Sequence, residues 1–440
     1  MTQTIPVPDN VTALAALRAM IRERSVMAGL EAFHAGLGDV FRLNLPGFAP
    51  VFLIGPEANR FVLVSARDDL RWRLESDPID RLLRTGLLVT DGALHDGMRR
   101  TMSPALHRQA LPGYVAQMVH TTDAISARWG HLGQPLDLLD EIRRIALPIL
   151  TGTMFDVNVL PDLNTLWDAV LKLLKYISPG AWLVWPGAPR PGYGWAMRQV
   201  DDWLYRLIRE RRATIHTREH CADLLSILVT APGVTDDMIR DQLLTMVIAG
   251  HDTSTAMLAW TFALLGQHPD ALARAQAEVD AVVGAGDPGM EHLDRLDYLD
   301  RVLKESMRFY PPAHLGNRLA AADLDFEGYH IPAGSRVVYS PYLTHRHPAL
   351  WDDPLRFDPD RWLPERGADR PHYAYVPFGG GARTCIGMPF AQVEGKIVLA
   401  RLLQRFTFAL VPGPIRVYMG ATLEPRMNGA GLRMHVRARG

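Results

Sequence analysis

The sequence predicts a mainly α-helical protein with small β-sheets, and three observations point that way. Apolar residues recur at helical spacing over residues 113–130, 139–154, 161–177 and 198–213, and over the longest such stretch, 234–265. Strand-like runs are few and short: 40–45 and 51–54 across Pro46-Gly47, then 317–324 and 328–339, then 416–423 and 431–436. The 440 residues are 48% hydrophobic and 22% charged, ordinary values for a soluble globular protein. One domain spanning residues 1–440 is expected.

Composition removes several function classes. The net charge is −1, so no general basic field points to nucleic acid. The two cysteines, Cys221 and Cys385, make no disulfide framework, and Cys221 sits in a polar stretch with no assigned role. Residues 1–10 lack the charged and apolar regions of a signal peptide. No apolar run reaches the ~18 residues of a transmembrane helix. A soluble, cytoplasmic protein without a membrane anchor is expected.

Taken in order, residues 11–37 read as one amphipathic helix with Leu14, Leu17, Ile21 and Met27 on its apolar side. Residues 56–64 return to helix. Residues 76–92 break into Asp77-Pro78, Gly86 and Asp91-Gly92, an irregular connection of the kind that carries ligand loops. The helix over 95–106 puts His95 and Arg99 on one face. Residues 178–195 hold Trp182, Trp185, Tyr193 and Trp195 among four prolines, which suits an apolar mouth over a pocket. Inside 234–265, Gly250 is followed by His251, Asp252, Thr253 and Ser254. The glycine costs about 1 kcal/mol in a helix, and the polar side chains compete for backbone carbonyls, so a local opening is expected. His251 reads as structural. Residues 271–283 form another helix. Residues 284–289 match G-x-G-x-x-G but follow a helix and contain Pro288, so they are not a nucleotide fingerprint. Over 299–310, Glu305 and Arg308 share a face before Pro311-Pro312 ends the helix.

The chemistry concentrates at residues 378–387, Phe-Gly-Gly-Gly-Ala-Arg-Thr-Cys-Ile-Gly, just before a helical pattern over 389–403. A sulfur at a helix N-terminus meets unpaired amides and the positive end of the dipole, which favours the metal-binding thiolate. Gly379, Gly380 and Gly381 let the backbone approach a flat ligand. Arg383 supplies a cation for an anionic group. Thiolate, flat partner and cation together suggest haem held by cysteine.

Phe378, Gly381, Arg383, Cys385 and Gly387 stand in the spacing F-x-x-G-x-R-x-C-x-G, which resembles the haem-binding signature of the cytochrome P450 family. Three further stretches resemble the same family in the same order: Ala249-Gly-His-Asp-Thr-Ser254 its oxygen-activating helix, Glu305 and Arg308 its E-x-x-R pair, and residues 357–362 the loop whose arginine, here Arg361, joins that pair. Asp360 stands where the family more often has Glu.

The resemblance runs from about residue 95 to 422 and implies a fold with haem b, iron protoporphyrin IX, between two long helices. It implies Cys385 as the iron ligand, with Phe378 and Gly387 beside it and His95, Arg99, Arg318 and Arg383 on the haem propionates. It implies Asp252 and Thr253 as the catalytic proton-delivering pair, and a pocket lined by Leu87, Leu88, Ala249, Leu315 and Ala421. Glu305, Arg308 and Arg361 are implied to be structural, and 178–195 to roof the substrate channel. The implied activity is monooxygenation of a hydrophobic organic molecule such as a fatty acid, terpenoid, steroid or polyketide. Electrons are expected from a ferredoxin or flavodoxin with its NAD(P)H reductase, because the chain ends at Gly440 without a flavin or iron–sulfur module. A reductase-independent haem-thiolate peroxygenase, isomerase or dehydratase uses the same iron site, but the Asp252–Thr253 pair argues against it. A haem-binding sensor without turnover is the remaining alternative.

Overall fold

The computed structural model describes residues 3–74, 77–107, 109–180, 185, 190–217 and 222–439. Its centre is the helix Asp236–Gln267, the long helix below. Thr235 caps it by accepting a hydrogen bond from the Met238 amide, and Asp236 and Asp237 occupy its positive end. It is buried on nearly all sides from Ile239 to Leu265, as expected of a helix apolar all round. Packed against it are Leu138–Phe155, Gly194–Thr214, Asp297–Phe309 and Met388–Arg405.

The expected opening at Gly250 is absent. The helix runs unbroken, and the Thr253 hydroxyl donates to the Ala249 carbonyl at 2.6 Å instead of prising the turn apart. Gly250 answers to packing: a Cβ there would stand 2.5 Å from Leu150 Cδ1 on the crossing helix Leu138–Phe155.

The N-terminal helix also differs. It is two helices, Asn10–Glu23 and Val26–Leu37, separated by Arg24 in the left-handed region at φ 51°. The turn changes the phase of the apolar side. Met27 is buried, whereas Leu14, Leu17 and Ile21 are exposed. The connection over 76–92 is more ordered than its breakers suggest, with a helix Pro78–Leu83 and a three-residue turn Leu87–Val89.

Among the described residues the strands form four small sheets. The largest has the order Val40–Arg42, Val51–Leu53, Arg336–Tyr339, Gly316–Ala320, Leu70–Arg71, with one parallel pairing, Val51–Leu53 on Arg336–Tyr339. The two runs 317–324 and 328–339 resolve into nested pairs. Gly316–Ala320 pairs with Arg336–Tyr339, and Leu324–Phe326 turns tightly onto Tyr329–Ile331. Glu327 and Gly328 both have positive φ, the conformation of a two-residue hairpin turn. Residues 415–436 likewise divide: Ile415–Met419 pairs with Leu423–Met427, while Arg433–Ala438 pairs with Phe406–Leu410 and Leu136–Asp137. No helix of the described residues is long and apolar enough to cross a membrane.

A buried ionic knot fixes the approach to Cys385. Glu305 accepts two hydrogen bonds from Arg308, at 2.8 and 2.9 Å, and one from Arg361 at 3.3 Å. It also accepts from the Asp358 amide at 3.1 Å and Trp362 Nε1 at 3.0 Å. Arg308 spends its remaining hydrogens on the carbonyls of His345, Pro354 and Arg356, at 2.8, 2.9 and 3.3 Å. The helix Asp297–Phe309 is thereby tied to the 345–362 segment that leads into the cysteine loop. Asp360, the departure from the family pattern, pairs with Arg274 and Arg301 instead.

Candidate active site

The cysteine loop is held by its backbone. The Cys385 amide donates to the Phe378 carbonyl at 2.8 Å, and the Cys385 carbonyl accepts from Met388, the first residue of Met388–Arg405. Gly379 and Gly381 adopt φ of 69° and 61°. A Cβ on Gly381 would lie 2.5 Å from the Leu63 carbonyl oxygen, so this glycine is required by the wide turn Phe61–Ser65 behind the loop. The glycines thus serve the loop's own packing as well as any ligand.

Cys385 Sγ opens into a cavity of about 960 Å³. The solvent-accessible sulfur lies deep in the protein, and burial pushes its thiol up from the ordinary value, against the Gly387 and Met388 amides and the Arg99 charge, which lower it. The expected lowering by the helix terminus is therefore outweighed. The thiolate forms when a metal cation takes the sulfur, since a coordinating thiol is deprotonated outright.

The same cavity is bordered by every residue singled out for ligand, catalysis or substrate. Leu87, Leu88, His95, Arg99, Ala249, Asp252, Thr253, Leu315, Arg318, Phe378, Arg383, Gly387 and Ala421 all face it with Cys385. Trp185 and Trp195, expected over its mouth, are exposed and do not border it. Trp182 and Cys221 fall outside the described residues. The cavity is instead reached by Ile177, Pro179 and Gly180, at the end of the helix Leu163–Ile177.

The donors fit an iron porphyrin with two carboxylates. Arg318 is buried, and burial lowers its pKa. It donates to the Asn317 carbonyl at 2.7 Å and stacks on Trp72 at 3.9 Å. No carboxylate among the described residues lies within ion-pair distance of it, so a ligand carboxylate would supply the charge that burial demands. The Arg99 side chain has no hydrogen bond among the described residues. Arg383 is divided: it already pairs with Asp91 at 2.5 Å and the Thr90 carbonyl at 2.6 Å, and burial pushes its pKa down to about 10. His95 bonds Asp96 through Nδ1 at 2.8 Å, and burial lowers its pKa. In that neutral form Nε2 accepts, so His95 would donate to a carboxylate only as the imidazolium.

On the long helix, Thr253 has committed its hydrogen to Ala249 and presents lone pairs. Asp252 is buried and occupied. Its Oδ2 accepts from Thr422 Oγ1 at 2.7 Å, and Arg143 Nη2 stands 3.5 Å from Oδ1. Arg143 also pairs with Glu424, which accepts from Arg426 at 2.8 and 3.0 Å. Sequence patterning missed Arg143 and Glu424. Two adjacent arginines on one helix look alike, yet Arg143 turns to the long helix and Arg144 to Asp140 and Trp167. His251 contacts the Arg143 carbonyl at 3.1 Å and packs edge-on to Trp167; burial pushes it down to about 3 and keeps it neutral.

Glu394, also unforeseen, lies between the two central helices, bonded to Ser254 Oγ at 2.5 Å. Burial pushes its pKa up to about 7, from 4.5. The folded state therefore holds a proton that the unfolded state releases between those values. Stability from this group is retained below pH 4.5 and falls as pH rises towards 7, by about 3 kcal/mol in all. Glu394→Gln should flatten that decline, raising the melting temperature at pH 8 and leaving it unchanged at pH 4.5; parallel curves at both pH values would refute the account.

A second cluster, His34, Asp39 and His347, brings possible ligand atoms together away from the cavity. The Ala349 amide donates to His347 Nδ1 at 3.1 Å, so Nε2 carries the proton and donates to Asp39. The group is a hydrogen-bonded clamp.

The comparisons agree with this geometry. The family model for Cytochrome P450 matches residues 6–419. Pentalenene oxygenase of Streptomyces avermitilis is 32% identical over 437 residues, covering 96% of this chain and 95% of that protein. Cyclooctat-9-en-7-ol 5-monooxygenase of Streptomyces melanosporofaciens is 32% identical over 392 residues, covering 86% of this chain and 84% of its own length. The haem domain of cytochrome P450DA superposes with a TM-score of 0.88 at 27% identity, covering 100% of this chain and 99% of that one. Retinoic acid-bound cyanobacterial CYP120A1 superposes at 0.85, with 25% identity and all of both chains covered. The chain belongs to the cytochrome P450 family and is a haem-thiolate monooxygenase that acts on a hydrophobic substrate with electrons from a redox partner.

Proposed function

We propose that this monooxygenase holds haem b and oxidises a terpenoid-sized, largely apolar molecule. Its electrons come from a ferredoxin or flavodoxin with an NAD(P)H reductase, and it works as one soluble, cytoplasmic domain over residues 1–440. The observation that carries the reading is one cavity with Cys385 on its wall, Asp252 and Thr253 also facing it, and apolar side chains such as Phe33, Leu88, Leu150 and Met307 making up much of the rest. The bound haem supplies oxygen binding and reductive activation. Cys385 ligates the iron. Arg318 and Arg99, with Arg383 and a protonated His95, hold the two carboxylates. Thr253 accepts a hydrogen bond from a cavity water through its free lone pairs, and Asp252 is the nearby carboxyl that can pass on a proton. Leu87, Leu88, Leu315 and Ala421 exclude water and orient the substrate. Pentalenene and cyclooctat-9-en-7-ol, the substrates named by two relatives, favour a terpenoid over a fatty acid.

The test is turnover in isotopically labelled oxygen with NADPH, a ferredoxin and its reductase, alongside spectral titration of pentalenene and dodecanoic acid. One labelled oxygen per product and roughly tenfold tighter binding of the terpene are expected. Product formed at full rate without reductase, or tighter binding of the fatty acid, would sink the respective half of the proposal.

A further inference from the structure

Leu87 and Leu88 reach the cavity wall from a segment with little regular structure of its own. The helix before it ends at Leu83, and Arg84 has φ 51°. The backbone of this segment is held from outside, by three consecutive residues of the long helix. Arg240 Nη1 donates to the Leu82 carbonyl at 2.9 Å. Asp241 Oδ2 accepts from the Thr85 amide at 3.0 Å and its hydroxyl at 2.7 Å. Gln242 bonds in both directions: Oε1 accepts from the Leu87 amide at 2.8 Å, and Nε2 donates to the Thr85 carbonyl at 2.9 Å. All three side chains are buried.

Successive residues point about 100° apart on a helix, so three in a row reach one segment only where that segment wraps the helix. Gly86 completes the fit: a Cβ there would lie 2.0 Å from Thr245 Oγ1. Every bond but that of the Thr85 hydroxyl goes to a main-chain atom. The hold therefore fixes where residues 87 and 88 sit whatever side chains they carry. The helix Gly194–Thr214 is joined to it as well, since its Asp201 accepts from Arg240 Nε at 2.7 Å and from Arg84 at 3.4 Å.

We propose that Asp241 and Gln242 are positioning residues for substrate selectivity: they hold Leu87 and Leu88 at a preset depth against the helix that also carries Ala249 and Thr253. This rests on the reading of Leu87 and Leu88 as substrate wall. Wall and chemistry then belong to one rigid body, and the pocket is shaped before substrate arrives. Asp241 and Gln242 themselves contact neither Cys385, the carboxylate-binding arginines nor Thr253.

The haem-loaded enzyme tests this with Gln242→Leu, which keeps size and loses both bonds, and with Leu88→Ala. Two quantities are read: hydrogen exchange at the Leu87 amide, and the ratio of spectral dissociation constants for pentalenene and dodecanoic acid. In Gln242→Leu the amide should exchange fast and the ratio should shrink about tenfold, while the carbonyl spectrum stays as in wild type. Leu88→Ala should change the ratio with the Leu87 amide still slow. A freed amide with an unchanged ratio overturns the positioning role. A Leu88→Ala ratio equal to wild type overturns the wall itself, and the proposal with it. If Gln242→Leu does not retain haem, Gln242→Met, which loses the same two bonds with an unbranched side chain of similar length, decides by the same two readouts.

Discussion

Cys385→Ser should abolish the red-shifted band of the reduced carbonyl complex and take oxygen insertion to background. The sulfur opens into the cavity between the long helix and Met388–Arg405, and its loop is fixed by the amide bond to Phe378. Thiolate donation to iron favours O–O cleavage, and a serine hydroxyl at the same place offers neither the softness nor the charge. Burial raises the Cys385 thiol, so the protein alone does not preset the thiolate. Ligation should therefore release a proton, and apparent iron affinity should rise with pH below the thiol's pKa. The check is the difference spectrum together with haem content, with Cys221→Ser as a companion that keeps the normal band. A thiolate-type band surviving in Cys385→Ser would mean that another residue ligates.

The second large effect falls on the long helix. Thr253→Ala should still oxidise its reductant but divert most of it to hydrogen peroxide. Asp252→Asn should slow turnover itself, by about 10²–10⁴-fold for a positioned acid–base group. The two differ because their hydrogen bonds differ. Thr253 gives its hydrogen to Ala249 at 2.6 Å, so its contribution is to accept and position. Asp252 holds Thr422 and faces Arg143, whose other partner is Glu424. Replacing its charge by an amide keeps the volume and the bond to Thr422, and removes the proton source. Product, peroxide and reductant consumed are measured side by side. Wild-type rate and coupling in both variants would leave the pair as ordinary helix residues and favour a reductase-independent enzyme.

The residues that border the cavity were readable in the sequence chiefly through the family resemblance, whose motifs keep a fixed spacing. A cysteine three residues before a helix and an arginine four after a histidine survive without knowledge of the fold. What patterning could not supply are the partners that tertiary structure brings in. Glu394 meets Ser254 across 140 positions, and Gln242 meets Leu87 across 155. Nothing local distinguishes such residues from solvated ones. The N-terminal helix misled for the opposite reason: its apolar spacing is regular, but a left-handed turn at Arg24 separates it from the buried Met27, leaving Leu14, Leu17 and Ile21 outside. Gly250 misled too, since a residue poor for helix propensity was there for a neighbour's leucine.

The Glu305 knot carries a consequence for how this sequence can drift. One carboxylate serves Arg308, Arg361, an amide and an indole, and none of the three charged side chains is exposed. Losing any one partner strands the others in a low-dielectric interior, at a cost of about 3–5 kcal/mol, a large share of a typical domain's stability. Replacing all of them together by apolar residues of similar volume is far less costly. The positions thus form a ratchet: single steps away fall into a stability trough, and only a joint jump crosses it. The loop that carries Cys385 is held in place by that trough, while residues 87 and 88, on a segment held through its backbone, can change side chain without losing a hydrogen bond of that hold.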